Sequence, residues 1–328
     1  MRRREFITLL VGATAAWPLM SRAQGRTARV GVLMVVAATD PESERLAGAF
    51  EKGLDEAGWH KGRNLELIYR WGESNPDLLS HYAEELVGAA PDILLAFGTS
   101  ALIPLHKATT TIPIVFSSVS DPVGQGFVAS VSHPGGNVTG FSNFDPDIGS
   151  RWLQVLKDAA PAVTHVTVMF NPRTSPYNAL WMQAIERTAP GFQVSVSQVS
   201  VQSDEEIRNT ITGLGTKPGS GLLVPSDSFT YIRSAMIAAL ANGNQVPAIY
   251  AFARFVHDGG LIAYGVDLAD QVRNAGGYVA QILKGDNPAD LPIQAPTRYT
   301  LAINLKTAKA LGLSVPLGLL NAADEVIE

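Results

Sequence analysis

The chain has 328 residues, of which 46% are hydrophobic and 17% charged, and it contains no cysteine. This composition is typical of a globular protein with a sizeable core and excludes a disordered chain, disulfide bonds and thiolate metal sites. The net charge of −5 and the lack of a long basic run argue against nucleic-acid binding, and the length favours two domains or one large one.

The first segment has the pattern of an export signal. Three arginines at 2–4 precede an apolar stretch over 6–20, and the small residues Ser21 and Ala23 suit a signal peptidase. The apolar stretch is shorter than the roughly 20 residues that span a bilayer. We therefore expect residues 1–23 to be a signal peptide that is cleaved after Ala23.

The export route stays open between the general pathway and the twin-arginine pathway. The stretch Arg3-Arg4-Glu5-Phe6-Ile7 resembles a twin-arginine signal, but adjacent arginines also occur in ordinary export signals. Because no cysteine is available for lipid attachment, we expect a soluble periplasmic product without stable insertion of the mature chain in the membrane.

After the leader, apolar runs typical of buried parallel strands alternate with amphipathic helical stretches. The valine-rich run 29–35 predicts a first strand, and apolar residues at helical spacing in 42–57 predict the helix that follows. Such alternation predicts right-handed βαβ units in a parallel sheet. Further strands are predicted at 65–69, 93–97 and 114–116, and further helices at 77–87 and 100–108.

The alternation starts again after Pro134-Gly135-Gly136-Asn137, which predicts a second α/β lobe. No flexible linker separates the lobes, so the hinge should consist of a few crossing strands, one of them near 138–143. The helix 268–283 and the strand 300–304 follow both lobes, so the chain should cross back more than once. The second lobe is predicted to contain strands 166–170, 193–199, 222–224, 248–252 and 261–264 and helices 151–160, 177–188, 204–214 and 231–241.

Catalytic motifs are scarce. The chain has no G-x-G-x-x-G after its first strand, no Walker loop and no G-x-S-x-G elbow, and its six histidines lack metal-binding spacings. A Ser-His-Asp triad assembled only by folding stays open at this stage. The sequence therefore predicts no catalytic residue, no cofactor and no metal ion.

Polar residues at strand ends are the candidate ligand-binding residues, because open α/β sheets bind ligands outside the carboxyl ends of their strands. Gly98, Thr99 and Ser100 follow the strand 93–97. Glycine lets a ligand approach the backbone, and the hydroxyls with the helix N–H groups can hold a carboxylate. The alternative is an ordinary helix cap.

Five further candidates stand in equivalent positions. Asp121 follows the strand 114–116 and could bind a ligand amine or cap the next helix. Asn171 and Asp227 end strands of the second lobe, and Tyr250 and Tyr264 lie in or at the ends of late strands. Their rings could form the wall of a ligand site or pack in the core. Together the two lobes present a cleft for a small polar or amphipathic molecule.

Several longer stretches carry a resemblance that runs over nearly the whole chain. They are 2–7, 58–65 (GWHKGRNL), 69–71, 112–116 (IPIVF), 121–130 (DPVGQGFVAS), 134–140 (PGGNVTG), 171–172 and 303–313. On these residues the chain resembles the exported substrate-binding proteins of bacterial ABC transporters, in the branch that includes tryptophan- and tyrosine-binding members.

The resemblance implies the type I periplasmic binding protein fold, an α/β fold with two Rossmann-like lobes of parallel sheets joined by a multi-strand hinge of three crossing segments. Residues 28–141 plus about 266–294 would form lobe 1, and 142–265 plus about 295–328 would form lobe 2. Asn171 and Asp227 match polar strand-end sites of the family pattern.

The function that the resemblance implies is capture of a small polar or amphipathic solute for an ABC importer. An amino-acid-like solute, aromatic ones included, would be held between the lobes by hinge closure and passed to the transporter permease. Two alternatives stay open, a ligand-binding subunit of a sensory system and a secreted α/β enzyme. A sugar-responsive repressor core is disfavoured by the export signal and the missing DNA-binding module.

Overall fold

The computed structural model describes residues 27–143, 145 and 147–328. The expected signal peptide, 1–23, lies outside the described residues. Within the described part of the chain, no helix is both long and apolar enough to cross a bilayer.

Five parallel strands form the first sheet. They are β1 (Ala28–Met34), β2 (Leu65–Trp71), β3 (Ile93–Phe97), β4 (Ile114–Val119) and β5 (Val138–Ser142), connected in part by the helices α1 (Pro41–Glu56), α2 (Pro76–Gly88) and α3 (Thr99–Ala108). The strand order is β2-β1-β3-β4-β5. Strands β3, β4 and β5 are entirely buried, which explains why their sequences read as continuous apolar or small-residue runs.

The remaining elements form a seven-stranded second sheet with its helices, and one helix that returns to the first sheet. In chain order they are α4 (Ile148–Ala159), β6 (His165–Phe170), α5 (Asn178–Thr188), β7 (Ser195–Ser200), α6 (Asp204–Gly215), β8 (Ser220–Val224), α7 (Ser228–Tyr231), α8 (Ser234–Gly243), β9 (Ala248–Tyr250), α9 (Arg254–His257), β10 (Ile262–Val266), α10 (Leu268–Leu283), β11 (Tyr299–Asn304), α11 (Leu305–Ala310), α12 (Leu317–Ala322) and β12 (Glu325–Ile327). The strand order is β12-β11-β10-β9-β8-β6-β7.

One pair in the second sheet departs from the parallel pattern. Strand β11 runs antiparallel to β10, with Val266 opposite Tyr299 and Ile262 opposite Ile303. The reason lies in the chain path. Strand β10 ends where the chain leaves this sheet and β11 begins where it returns, so β11 must run back along its neighbour.

Helix α10 comes after ten strands of the two lobes in the chain, and it returns to the first lobe to pack against α1. Two glycines make this contact close. A Cβ atom on Gly53 would lie 1.9 Å from the carbonyl oxygen of Arg273, and one on Gly276 would lie 2.8 Å from that of Phe50. Larger side chains at these positions would force the two helices apart.

The chain passes between the two sheets three times: after β5, between β10 and α10, and between α10 and β11. Hydrogen bonds connect these crossings. Ser142 N donates to Gln294 O at 2.8 Å, and Gln294 N donates to Gly140 O at 2.9 Å. From α10, Gln271 Nε2 donates to Ser142 O at 2.8 Å. The fold is thus two α/β lobes joined by a multi-strand hinge.

Candidate functional site

A small cavity lies between the lobes, beyond the carboxyl ends of β1, β3, β4, β8 and β9. Its volume is about 30 Å³, room for about two water molecules. Its lining side chains come from both lobes, and eight of the residues carry hydroxyl groups. The lining is Val35, Phe97, Gly98, Thr99, Ser100 and Ser118 from the first lobe, Thr174, Tyr177, Ser226, Asp227, Ser228, Tyr231 and Phe252 from the second, and Leu268 at the start of α10.

The predicted residues Gly98, Thr99 and Ser100 all line this cavity. Gly98 has φ 87°, a left-handed conformation that glycine adopts without strain, and its position before α3 leaves that helix without a side-chain cap. Thr99 Oγ1 accepts a hydrogen bond from Ser120 N at 3.2 Å. The start of α3, which has no side-chain cap, therefore lies at the cavity with the positive end of the helix dipole.

Two serines of the first lobe contact Ser228 of the second. The Oγ atoms of Ser100 and Ser228 lie 2.9 Å apart, and Ser74 Oγ donates to Ser228 O at 2.9 Å. These distances require the lobes to be closed over the cavity. An amino acid is larger than the space that remains, so the lobes would have to close less tightly around one than they do here.

Asp227 lines the cavity, but its carboxylate is bonded within the protein. It caps α7 by accepting from Phe229 N at 2.9 Å, and it also accepts from Asn171 N at 2.6 Å and from the Thr174 hydroxyl. Burial raises the pKa of Asp227 to about 6, and the hydrogen bonds from Thr174 and from backbone N–H groups oppose that rise. The structure thus shows a cap role for this carboxylate, and its role toward a ligand stays a prediction.

Asn171 and Asp121 do not line the cavity. Asn171 is buried, and its Oδ1 accepts from Arg173 N at 2.8 Å. Asp121 has φ 40°, and its Oδ1 accepts from Gly124 N at 2.9 Å. Both side chains stabilise local turns in this conformation, so contact with a ligand stays a prediction for each.

Tyr250 and Tyr264 also lie away from the cavity. Tyr250 is fully buried and stacks on Phe255 with ring centroids 4.5 Å apart, and its burial raises the pKa of the hydroxyl. Tyr264 stacks on Tyr299 at 5.5 Å on another face of the second lobe. In this conformation both rings pack on other aromatic rings, and contact with a ligand stays a prediction for each.

Other aromatic rings line the cavity, and the sequence analysis missed them: Phe97, Tyr177, Tyr231 and Phe252. Tyr177 packs edge-on against Trp181 at 5.2 Å, and burial raises its pKa to about 12, so its hydroxyl stays protonated at neutral pH. Sequence position could have identified three of these rings, because Tyr177, Tyr231 and Phe252 follow the ends of β6, β8 and β9 within eight residues.

A polar cluster spans the cleft beside the cavity, and we call it the clasp: Asp40 and Glu42 of the first lobe with Tyr231 and Arg254 of the second. Arg254 Nη2 donates to Asp40 Oδ2 at 2.7 Å, and the side chains are only 16% and 13% exposed. The Arg254 guanidinium lies 4.9 Å from the Tyr231 ring centroid, and the Tyr231 hydroxyl donates to Glu42. The clasp therefore favours the closed arrangement.

The cavity offers little charge for chemistry. Of the residues that line it, Asp227 is the one with a formally charged group. Across residues 27–143, 145 and 147–328, no three His, Asp or Glu side chains gather where they could hold a metal ion. What the arrangement presents to a ligand is hydroxyl groups, aromatic rings and one helix N-terminus.

Two of three known proteins similar to this chain carry an amino acid in their description. A tyrosine-binding protein of Clostridioides difficile (strain R20291) is 26% identical over 274 residues, which are 83% of this chain and 78% of that protein. The ABC domain from Streptococcus pneumoniae in complex with L-tryptophan has a TM-score of 0.84 and 25% identity, covering 92% of this chain and 100% of that chain. A conserved domain protein from Vibrio cholerae O1 biovar El Tor has a TM-score of 0.84 and 28% identity, with the same coverage.

The family comparison covers almost all of the described chain. The family described as "ABC transporter substrate binding protein" matches residues 29–327. Together with the two-lobed α/β fold, this match confirms the resemblance and the fold class expected from the sequence. The chain belongs to the family of ABC transporter substrate-binding proteins.

Proposed function

We propose that this protein captures an amino-acid-like solute between its lobes and presents it to the permease of an ABC importer. The observation that carries the proposal is the cavity itself. Hydroxyl groups and rings of both lobes face one space at the carboxyl ends of the strands, where α/β proteins bind ligands. A ligand that contacts both lobes stabilises the closed state and so reports its presence by the change of shape.

The solute we propose has a carboxylate and an apolar side chain. The uncapped start of α3, with Thr99 and Ser100, supplies N–H groups and hydroxyls that suit a carboxylate. Phe97, Tyr177 and Phe252 supply apolar ring surface. The relatives that bind tyrosine and tryptophan support aromatic amino acids as the first solutes to examine.

We propose binding without catalysis. A nucleophile needs a base within hydrogen-bond reach, and the charged group at the cavity, Asp227, already accepts from Asn171, Thr174 and Phe229. That leaves the cavity hydroxyls without an evident base among the described residues that line it.

The location and the lobe bounds belong to the same proposal. Residues 1–23 would direct export and be removed, which places the mature chain in the periplasm beside the permease. The packing of α10 on α1 supports assigning about 266–294 to lobe 1 with 28–141. Lobe 2 would then comprise 142–265 and about 295–328.

Thermal unfolding in the presence of each of the 20 amino acids, with mass spectrometry of any solute released by denaturing the purified protein, tests this proposal. We expect a rise in melting temperature for a small set that includes tyrosine or tryptophan, because the free energy of unfolding grows with ligand concentration by RT ln(1 + [L]/Kd). No shift with any amino acid, together with release of a solute of another class, would contradict the proposed solute class.

A further inference from the structure

Asn143 lies on the first crossing between the lobes, one residue after β5, and is 5% exposed. Its amide contacts three serine hydroxyls. Nδ2 donates to Ser118 Oγ at 3.1 Å and to Ser226 Oγ at 2.9 Å, while Oδ1 accepts from Ser120 Oγ at 2.7 Å. Asn143 does not itself line the cavity, so whatever it does for a ligand it does through these serines.

Two of the three serines line the cavity, one from each lobe. Ser118 belongs to β4 and Ser226 follows β8, and both are buried, at 7% and 8% exposure. Ser118 has φ 59°, a left-handed conformation that a non-glycine residue rarely adopts. The pairing of β4 with β5 shifts register between Ser117 and Val119, so a bulge at Ser118 turns its side chain out of the regular pattern.

The direction of the two hydrogen bonds decides whether the Ser118 and Ser226 hydroxyls offer a donor or an acceptor to a ligand in the cavity. A serine hydroxyl has one hydrogen to donate and can accept as well. Because Ser118 and Ser226 both accept from Asn143, each keeps its own hydrogen for another partner. The left-handed backbone of Ser118 points to a binding site as well, because such strained residues cluster at sites where the surrounding structure holds them in place.

We propose that Asn143 is a positioning residue that orients the Ser118 and Ser226 hydroxyls as donors to the carboxylate of the bound solute. The proposal rests on the proposed function, and it adds a link between binding and closure. The two donors come from different lobes and share one amide on the hinge, so both reach the same ligand group only when the lobes are closed.

The substitution Asn143→Asp tests the direction of these bonds because it keeps the side-chain shape but replaces the donor with an acceptor. The serines would then donate to the new carboxylate and turn their oxygens toward the cavity. The measurement is the ratio of Kd for L-tryptophanamide to Kd for L-tryptophan, by titration calorimetry, with the corresponding tyrosine pair. The amide has an NH2 group where the amino acid has a carboxylate oxygen.

For the wild type we expect the amino acid to bind at least tenfold more tightly than its amide. Asn143→Asp should lower this ratio by about 10- to 100-fold, as loss of charge-assisted hydrogen bonds does. Ser118→Ala and Ser226→Ala should each lower it as well, which keeps the test informative if Asn143→Asp does not fold. Asn137→Asp is the matched control and should leave the ratio unchanged. Asn137 lies away from the cavity, and its Nδ2 donates to Ile112 O at 2.8 Å.

The possible failures are distinguishable. If the wild type binds and Asn143→Asp or both serine variants keep its ratio, the positioning role is wrong and the proposed function stands. If the wild type binds neither amino acid, aromatic amino acids are not its solutes, and the positioning role proposed toward them is wrong with them.

Discussion

At the scale of single residues, Asp227 shows how one side chain serves the architecture of a site. Its two carboxylate oxygens accept from Asn171 N, Phe229 N and the Thr174 hydroxyl. Those bonds tie the loop after β6 to the start of α7, and both segments supply residues that line the cavity. The shape of the second lobe's half of the site therefore depends on this carboxylate.

Replacing Asp227 with alanine should lower the free energy of unfolding by about 2 to 4 kcal/mol, because two buried N–H groups and one hydroxyl lose their acceptor. Urea unfolding followed by circular dichroism measures this. Ser203→Ala is the matched control, since Ser203 caps the exposed start of α6 by accepting from Glu206 N at 3.2 Å, and it should cost about 1 kcal/mol. Equal losses in the two variants would contradict the assigned role of Asp227.

The raised pKa of Asp227 predicts a dependence of stability on pH. Burial raises it from an ordinary value of 3.8 to about 6, so between these values the folded state binds more protons than the unfolded state. The free energy of unfolding should therefore fall as pH rises from about 4 to about 6, by about 3 kcal/mol, and change no further from this group above about pH 7. Unfolding of the wild type minus that of Asp227→Asn, measured from pH 4 to 8, isolates this contribution. A difference that stays constant or rises with pH would contradict it.

At this scale the sequence identified part of the cavity lining. Strand ends identify Gly98, Thr99 and Ser100 because a glycine and two hydroxyls directly follow an apolar strand. Tyr177 and Tyr231 were missed because they look like ordinary core aromatics in or beside a helix. The cavity-facing side chain of Ser118 depends on a bulge, which arises from pairing between β4 and β5 and leaves no local pattern.

At the scale of elements, long periodic segments were predictable and short ones were not. The helix predicted at 42–57 is observed as α1, shifted by one residue, and the helix predicted at 268–283 has those bounds as α10. The segment 231–241, predicted as one helix, instead contains the end of α7 and most of α8. Helices α7 and α9 have four residues and β12 has three, too few to display a period.

The contact between α1 and α10 gives a prediction about packing. Gly53→Ala should destabilise the fold by about 1 to 3 kcal/mol, because its Cβ would lie 1.9 Å from Arg273 O. Gly48→Ala in the same helix meets no atom within 4 Å and should stabilise the helix by about 0.5 to 1 kcal/mol. Thermal unfolding of both variants compares them, and similar shifts of the same sign would contradict this account of the helix contact.

At the scale of the whole molecule, the clasp and the serine contacts hold the lobes closed over a cavity of about 30 Å³. The ion pair between Arg254 and Asp40 is largely shielded from water, with side-chain exposures of 16% and 13%. The pair joins the two lobes, and removing one partner would leave the other charge poorly solvated in the closed state. The empty closed state is therefore stabilised by the protein's own contacts, and a solute would have to part the lobes enough to make room for itself.

Replacing Arg254 with methionine should shift the molecule toward the open state. We expect a larger radius of gyration without ligand in small-angle scattering, because the empty closed state loses a contact between the lobes and less of the protein is closed. Arg233→Met is the control, since Arg233 pairs with Asp204 at 2.6 Å within the second lobe. A radius of gyration equal to that of the wild type would show that the clasp does not stabilise the closed state.

The central claim, that the chain binds one amino-acid-like solute between its lobes, is tested most directly by titration calorimetry of L-tyrosine and L-tryptophan into the wild type and Ser100→Phe. Ser100 meets Ser228 across the cleft at 2.9 Å, so a phenylalanine there should occupy the solute's space while the fold, checked by circular dichroism, is retained. We predict one solute per wild-type chain and at least a hundredfold loss of affinity in Ser100→Phe. Equal affinity in the two proteins would contradict binding between the lobes, and no binding of either amino acid to the wild type would contradict an aromatic amino acid as the solute.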